Sequence, residues 1–215
     1  MIIAIDGTAA SGKGTLAKKL AARLNLAHLD TGALYRITGE MLHRQGLSPE
    51  DVTLEKAAKA AENLDLSLME DPAIRTAKAG EMASVVAVLP EVRAALMAFQ
   101  QNFAKMPPAK EDGAAYDGAV LDGRDIGTVI LPDADVKFFV DAKPEIRAER
   151  RLNELLAHGE EAEFEAVKSA LISRDDRDRN RETAPLIPAD DAVMVDTSDM
   201  GVEAMVDFAC DHLKK

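Results

Sequence analysis

The chain has 215 residues, of which 47% are apolar and 30% charged, and this suits one domain with a full core. Its formal net charge of −12 argues against a general nucleic-acid binder, which would present a basic face. The only cysteine, Cys210, cannot form a disulfide within the chain, so a reducing cytoplasm is the expected location. No apolar stretch approaches the roughly 18 residues that cross a bilayer, so no membrane partner is expected.

The first predicted element is a buried parallel strand over residues 2–5, an apolar run that stops at Asp6 and Gly7. Leucines at positions 16, 20 and 24 then recur at helical spacing, which predicts a helix from Thr15 onward. The glycine-rich stretch between them, IDGTAASGKGT, therefore joins a strand to a helix.

This stretch matches the phosphate-loop pattern Gly-x-x-x-x-Gly-Lys, except that Gly14 stands where Ser or Thr is expected. Glycines let successive backbone N–H groups surround phosphate oxygens, and the helix N-terminus adds partial positive charge. The competing interpretation is a tight turn with an exposed lysine. The strand-to-helix context favours a phosphate-binding loop, in which Lys13 would bridge the outer phosphates.

Four further apolar runs follow along the chain, and each ends at an aspartate: Asp30, Asp122, Asp141 and Asp196. Helical patterns separate these runs, and such alternation predicts an α/β fold with a central five-stranded parallel sheet covered by helices on both faces. Ligands of such sheets bind beyond the carboxyl ends of the strands, where the aspartates would gather. Residues 105–118 and 157–163 are expected to be a surface loop and a helix-to-helix connection.

Asp122 follows an apolar strand and could hold the water shell of a magnesium ion, with Thr15 supplying a hydroxyl in place of Gly14. The alternative role for Asp122 is that of a loop cap, and Asp6 has the same two interpretations. The four histidines show no paired spacing, and with one cysteine no zinc site is predicted.

Seven arginines fall within residues 147–151 and 174–181 of an otherwise acidic chain. Such runs can be solvated helical faces with i,i+4 charge pairs. Their number here favours an anion site instead. A phosphate loop combined with several arginines fits phosphoryl transfer, which requires mainly alignment and charge neutralisation.

Four blocks occur in the order seen in bacterial cytidylate kinases: the glycine loop, LDTGALYR, LDGRDIGTVILPDADVKFFVDA and RDDRDRNRETAPLIPADDA. The chain resembles this family over nearly its whole length. The Gly-Lys-Gly-Thr form of the loop is usual in nucleoside monophosphate kinases, so Gly14 marks a subgroup.

The resemblance implies a P-loop kinase that converts ATP and CMP, or dCMP, into ADP and CDP, or dCDP, with Mg²⁺ as cofactor and ATP as co-substrate. It also implies one kinase domain with a core at about 1–37, 113–155 and 173–215. A nucleoside monophosphate (NMP)-binding insert would occupy about 38–112, and a small helical lid about 156–172. The expected protein is a monomer.

The resemblance also implies roles for individual residues. The residues that would bind the phosphates of ATP are Gly7, Thr8, Ala9, Ala10, Ser11, Gly12, Lys13, Gly14 and Thr15. The catalytic residues would be Lys13, Arg124, Arg174 and Arg181. Arg124 would hold the acceptor phosphate together with Arg36. Arg174 would also contact the sugar, and Arg181 would approach the phosphates during transfer. Thr15 and Asp122 would serve magnesium, in part through water. The residues that would bind CMP are Thr31, Tyr35, Arg36, Ser84, Arg93, Arg124, Asp125 and Asp178. Among these, Asp125, Arg93 and Ser84 would read the base and Asp178 would meet the sugar. Tyr35 would lie against the nucleotide, unless it is a core aromatic side chain.

One departure from the family concerns the stretch DLSLMEDPAIRT, which is shorter than usual. The small antiparallel sheet that the family carries there is expected to be trimmed or absent. Three alternatives to the cytidylate kinase activity remain at this stage: a kinase for UMP or AMP, a nucleotide-binding regulator without turnover, and an RNA-binding protein.

Overall fold

A computed structural model describes residues Met1–Leu213. Its strands are β1 (Ile2–Gly7), β2 (Ala27–Asp30), β3 (Ala119–Gly123), β4 (Val136–Asp141) and β5 (Val193–Asp196). Its helices are α1 (Lys13–Leu24), α2 (Thr31–Arg44), α3 (Leu54–Glu62), α4 (Ala77–Val86), α5 (Pro90–Lys105), α6 (Pro144–Ala157), α7 (Phe164–Asn180) and α8 (Val202–Leu213). Short 3₁₀ turns occur at Pro49–Asp51, Leu66–Glu70 and Pro72–Arg75, and a π-helical turn at Ile126–Ile130.

The five strands form one parallel sheet in the order β2-β3-β1-β4-β5. All five predicted strands are confirmed. Their carboxyl ends lie along one edge, where Asp30 pairs in register with Asp122 and Asp141 with Asp196. Residues that end strands far apart in sequence therefore meet at this edge.

The chain divides into two compact units. The sheet unit comprises Met1–Asp30, Gln100–Asn153 and the described chain from Ala162. The helical unit comprises Thr31–Phe99 and Glu154–Glu161.

The core of the sheet unit lies between the sheet and helices α1 and α8. Side chains from β1, α1 and α8 are fully or almost fully buried against one another, among them Ile3, Ile5, Leu16, Leu20 and Ala209. The lone thiol, Cys210, is buried in the same cluster, as the spacing of its neighbours predicts.

The helical unit contains helices and 3₁₀ turns but no strand among its described residues. The expected loss of the small antiparallel sheet is thus confirmed. Helices α2 and α4 approach closely at Gly39, where a Cβ would lie only 2.7 Å from Cβ of Met82. A second small core, with Ala33, Ile37 and Ile74, lies beneath α2.

Within residues 1–213, no helix is by itself both long and apolar enough to cross a membrane. Only α4 and α5 together reach that length and composition, and they are bent by 102° at the break between them.

Candidate active site

The phosphate loop leaves β1 at Gly7 and enters α1 at Gly12. Gly7 has φ 151°, and a Cβ there would lie 1.9 Å from the carbonyl oxygen of Val140, so only glycine fits. Gly12 is the N-cap of α1 and has the left-handed conformation, with φ 93°. Ala10 also adopts a positive φ, 58°. The loop therefore has the tight, glycine-dependent geometry that its sequence predicts.

Two buried or half-buried arginines of α6 hold this loop through its carbonyl oxygens. Arg147 donates to the carbonyl of Ala9 at 3.3 Å, and Arg150 donates to that of Ser11 at 3.2 Å. The hydroxyl of Thr197 also donates to Ser11 at 2.6 Å and accepts from Arg150 at 2.9 Å. Because C=O and N–H of one peptide group point in opposite directions, the amides that follow these carbonyls point away from the arginines.

Two of the three arginines of 147–151, which were expected to form part of an anion site, contact the backbone of the loop instead. Arg147 and Arg150 are engaged with backbone oxygens, and Arg147 also forms a buried ion pair with Asp175 at 2.6 Å. The two arginines stabilise the shape of the loop through its carbonyl oxygens, whereas the sequence around them suggests direct contact with phosphate.

Lys13 begins α1, and its ammonium group donates to the carbonyl of Thr8 at 3.3 Å. Burial and, next, the positive charge of Arg124 lower the pKa of Lys13 to about 7. The carboxylates of Asp122 and Asp30 act in the opposite direction. The approach of an anion would strongly stabilise the charged form of a lysine in this environment. Binding of phosphate is the role predicted for Lys13.

Asp122 lies at the end of β3 and is buried. Its Oδ1 is 2.7 Å from Nε2 of His28 on the neighbouring strand β2. Its Oδ2 lies on the side of α1, 3.6 Å from the position that a Cβ on Gly14 would occupy. One carboxylate oxygen thus faces the first turn of the loop helix, where Thr15 is exposed.

Asp6 has a structural role. Its two carboxylate oxygens accept hydrogen bonds of 2.7 Å from the backbone N–H groups of Ile126 and Gly127. Asp6 thereby caps the π-helical turn that follows Asp125. Burial raises the pKa of Asp6 to about 6. Of the two interpretations of Asp6, the structure favours the loop cap.

Three of the predicted site residues form one ionic cluster in the sheet unit. Arg124 donates to Asp178 at 2.9 Å, and Arg174, one turn earlier on α7, lies 4.0 Å from the same carboxylate. Burial alone would raise the pKa of Asp178, but the charges of Arg124 and Arg174 outweigh it and lower the pKa. The cluster therefore stays charged, and it holds two guanidinium groups near Lys13, whose pKa both of them lower.

Arg181 and Asp125 form a second pair in the sheet unit. Arg181 follows the last residue of α7, and its guanidinium lies 3.6 Å from Asp125 and also donates to the carbonyl of Ala184. Both side chains are nearly inaccessible to solvent, with 6% and 7% exposed. The segment 174–181 thus places three predicted residues, Arg174, Asp178 and Arg181, against the loop that carries Arg124 and Asp125.

In the helical unit, Arg36 of α2 donates to the carbonyl oxygens of Ile74 and Thr76 at 2.9 and 3.4 Å. Its guanidinium lies over Gly80 of α4, 3.4 Å from where a Cβ would be. Ser84 is buried one turn further along α4, on the same face as Gly80.

Tyr35 and Arg93 contact each other within the helical unit. The guanidinium of Arg93 is 6.0 Å from the centre of the Tyr35 ring, a cation–π distance, and Arg93 donates to the carbonyl of Ala87 at 3.5 Å. Arg93 is 4% exposed, whereas Tyr35 is half-buried. Thr31, the first residue of α2, is buried.

The residues present fit a magnesium ion that arrives with a nucleotide. Among residues 1–213, His, Cys, Asp and Glu side chains form no group of three or more that could hold a metal by themselves. Mg²⁺ commonly takes one or two protein oxygens together with waters and substrate phosphates. Asp122, with one oxygen turned toward the loop helix, and Thr15 on that helix are such oxygens.

Comparison with known proteins identifies the family. A family model described as cytidylate kinase matches residues 3–215. The chain belongs to the cytidylate kinase family. A cytidylate kinase of Bradyrhizobium sp. (strain ORS 278) is 51% identical over 98% of this chain and 94% of the relative. That of Azorhizobium caulinodans is 52% identical over 94% of this chain and 93% of the relative.

Solved structures resemble this family member in fold. An uncharacterized protein from Eubacterium ventriosum aligns over 100% of this chain and 99% of its own, with a TM-score of 0.53 and 15% identity. A protein from Thermus thermophilus aligns over 100% and 96%, with a TM-score of 0.50 and 19% identity. At these identities the likeness concerns the architecture alone.

Several residues that shape the site escape the sequence patterns. Asp30 is expected at the ligand-binding edge of the sheet, but no pattern indicates that it acts on Lys13. Thr197 follows β5 directly, and its position at the end of a strand is a signal that could have found it. No pattern singles out His28, because its partner Asp122 is 94 residues away.

Proposed function

We propose that this protein transfers the γ-phosphoryl group of ATP to CMP or dCMP, which yields ADP and CDP or dCDP. The observation that carries the proposal is the glycine loop with Lys13 beside Arg124 and Asp122, in a chain about half identical to proteins named cytidylate kinase. Phosphoryl transfer depends on alignment and on neutralisation of the phosphate charge. Loop amides, a lysine and several arginines supply both.

On the donor side, the backbone N–H groups of residues 7–15 are proposed to bind the phosphates of ATP, and Lys13 to bridge the outer ones. The carbonyl bonds of Arg147 and Arg150 support this orientation of the loop. Bound Mg²⁺, held by Asp122 and Thr15 in part through water, would supply further neutralisation of the phosphate charge. Arg124, Arg174 and Arg181 are proposed to stabilise charge on the transferred group.

On the acceptor side, Arg36 and Arg124 are proposed to hold the phosphate of CMP, and Arg174 with Asp178 to contact its sugar. The hydrogen bonds of Arg36 to two backbone carbonyls fix its guanidinium in place before any ligand binds. Such preorganisation reduces the entropy that binding must overcome. The further residues proposed to bind CMP are Thr31, Tyr35, Ser84, Arg93 and Asp125.

The choice of base is proposed to depend on Asp125. Cytosine presents an N4 donor where uracil presents an acceptor, so a carboxylate favours cytosine. Asp125 is buried beside Arg181, and in this buried position a carboxylate oxygen that faces the acceptor O4 of uracil would be repelled instead of hydrogen-bonded, which is costly. Arg93 and Ser84 are proposed to donate to the N3 and O2 atoms.

We also propose that residues 38–112 form the NMP-binding insert and residues 156–172 the lid of one kinase domain with a core at 1–37, 113–155 and 173–215. The protein is proposed to act as a monomer in the cytoplasm, where its buried Cys210 stays reduced. Sedimentation with and without ATP and CMP tests the oligomeric state.

The deciding experiment measures ADP release with CMP, dCMP, UMP, AMP and GMP as acceptors. CMP and dCMP are expected to give the highest kcat/KM. No stimulation by either would refute the proposed function, and a preference for UMP or AMP would assign the protein to another acceptor. Lys13→Met should abolish transfer with every acceptor.

Asp125→Asn tests the base contact separately. The amide group of asparagine can donate to the O4 of uracil, so the variant should lose kcat/KM for CMP and gain some for UMP. Asp207→Asn, which alters an exposed ion pair with Arg23, is the control and should leave the ratio unchanged. An equal loss for all five acceptors in Asp125→Asn would argue against base reading by this residue.

A further inference from the structure

The imidazole ring of His28 is in short contact with the carboxylate of Asp122, which is proposed to hold magnesium. The distance from Nε2 to Oδ1 is 2.7 Å, and the two side chains are 17% and 5% exposed. In the register of β2 and β3, Asp30 lies opposite Asp122, and His28 lies two residues before Asp30. Since residues i and i+2 of a strand share a face, His28, Asp30 and Asp122 all lie on the same face of the sheet.

The direction of this hydrogen bond follows from the chemistry of the pair. A carboxylate that holds a cation can only accept, so the proposed metal role of Asp122 requires Nε2 of His28 to carry the hydrogen and donate it to Oδ1. Such a hydrogen bond restrains rotation of the carboxylate of Asp122. The remaining oxygen, Oδ2, then lies toward Gly14 and the first turn of α1.

We propose that His28 is a positioning residue, whose imidazole N–H orients Asp122 so that Oδ2 faces the magnesium ion of the bound nucleotide. This inference rests on the proposed function, because it assigns a purpose to the metal role of Asp122. A histidine in contact with a metal-binding carboxylate is a partner of the kind that tunes metal affinity without contacting the metal.

The surroundings of His28 make the inference testable by chemical rescue. A pocket of about 400 Å³ in the sheet unit is lined in part by His28 itself, together with Ala21, Leu26 and Tyr116. Removal of the imidazole ring would enlarge this pocket toward Asp122. A small donor such as free imidazole could then enter and restore the hydrogen bond.

The experiment measures ADP affinity by calorimetry with and without Mg²⁺, so that no turnover is required. Two variants remove the donor: His28→Phe keeps the ring volume, and His28→Ala opens the pocket. In both, the gain in ADP affinity on addition of Mg²⁺ should fall roughly tenfold, the lower range for loss of a residue that supports a metal ligand. ADP affinity without Mg²⁺ should stay close to that of wild type, since neither variant alters the phosphate loop. Millimolar imidazole should restore the Mg²⁺ effect in His28→Ala only.

His212→Ala is the matched control, because His212 is also half-buried and also makes one hydrogen bond, to the carbonyl of Phe208 at 2.8 Å. It should behave as wild type. An unchanged Mg²⁺ effect in His28→Phe would overturn the inference, as would an equal loss of ADP affinity with and without Mg²⁺. If Asp122→Asn itself leaves the Mg²⁺ effect intact, the metal role of Asp122 fails and the role of His28 fails with it. The CMP kinase activity is tested independently by the acceptor panel.

Discussion

Replacement of Arg147 by methionine would remove the central cation beneath the phosphate loop. Its guanidinium lies 2.6 Å from Asp175, and the two side chains are only 4% and 3% exposed. Arg147 also donates to the carbonyl oxygens of Ala142 and Ala9, at 3.0 and 3.3 Å. The variant therefore leaves a buried carboxylate without its counter-ion and releases one carbonyl of the loop.

The buried charge of Asp175 determines how much free energy of unfolding Arg147→Met is expected to lose. Breaking a buried ion pair by removal of one partner costs about 3–5 kcal/mol, because an uncompensated charge stays in the interior. Domains unfold at a cost of roughly 5–15 kcal/mol, so this loss is a large share of the total. Arg23 and Asp207 form a pair of nearly the same length, 2.7 Å, but 50% and 62% of their side chains are exposed. Solvent screens that pair, and Arg23→Met should cost only a small part of the loss in Arg147→Met.

Urea unfolding followed by circular dichroism measures the difference, since the chain has no tryptophan to serve as a fluorescent probe. A third variant, Arg147→Met with Asp175→Leu, removes both charges and should regain much of the stability. The recovery is favoured because Oδ1 of Asp175 has no hydrogen-bond partner among the described residues. The reasoning is refuted if Arg147→Met loses no more stability than Arg23→Met, or if the double variant is the weakest of the three.

Three further predictions concern packing and protonation. Gly39→Ala should lower the melting temperature, because the new Cβ would lie 2.7 Å from Cβ of Met82 and overpacking costs about 1–3 kcal/mol. Gly201→Ala is the control and should leave the melting temperature unchanged, because the space around Gly201 is open. Burial raises the pKa of Asp6 from 3.8 in the unfolded chain to about 6, so the protonated side chain contributes its full stabilisation below pH about 4, and this contribution is lost as pH rises through 6. Between these pH values, the free energy of unfolding of the wild type should fall by roughly 3 kcal/mol relative to that of Asp6→Asn. A constant difference between the two proteins would contradict this. Burial lowers the pKa of Lys13 to about 7, and a bound phosphate group should raise this pKa again. ADP binding at pH 8 should therefore take up a proton and should weaken as pH rises. Calorimetry in buffers of different ionisation enthalpy measures the proton uptake, which should vanish in Lys13→Met.

The sequence by itself determined the elements whose signals are local. The apolar runs before Asp6, Asp30, Asp122, Asp141 and Asp196 are the five strands, because a strand buried on both faces needs a continuous apolar run. The glycine loop lies between β1 and α1 as predicted, since both the positive φ of Gly12 and the close approach at Gly7 require glycine. The stretch before residue 76 is short in comparison with the family that the sequence resembles, and this indicated that a small sheet is missing.

Only the tertiary structure decided which charged residues meet. The arginines of 147–151 resemble an anion site in sequence, but the face that α6 turns toward the loop places Arg147 and Arg150 on carbonyl oxygens. Asp6 has the sequence context of a metal ligand and instead caps a turn 120 residues away. His28 contacts Asp122 because β2 and β3 are neighbours in the sheet. Strand order and the facing side of a helix depend on contacts across the whole chain, and these long-range contacts leave no periodic trace in the residues around each position.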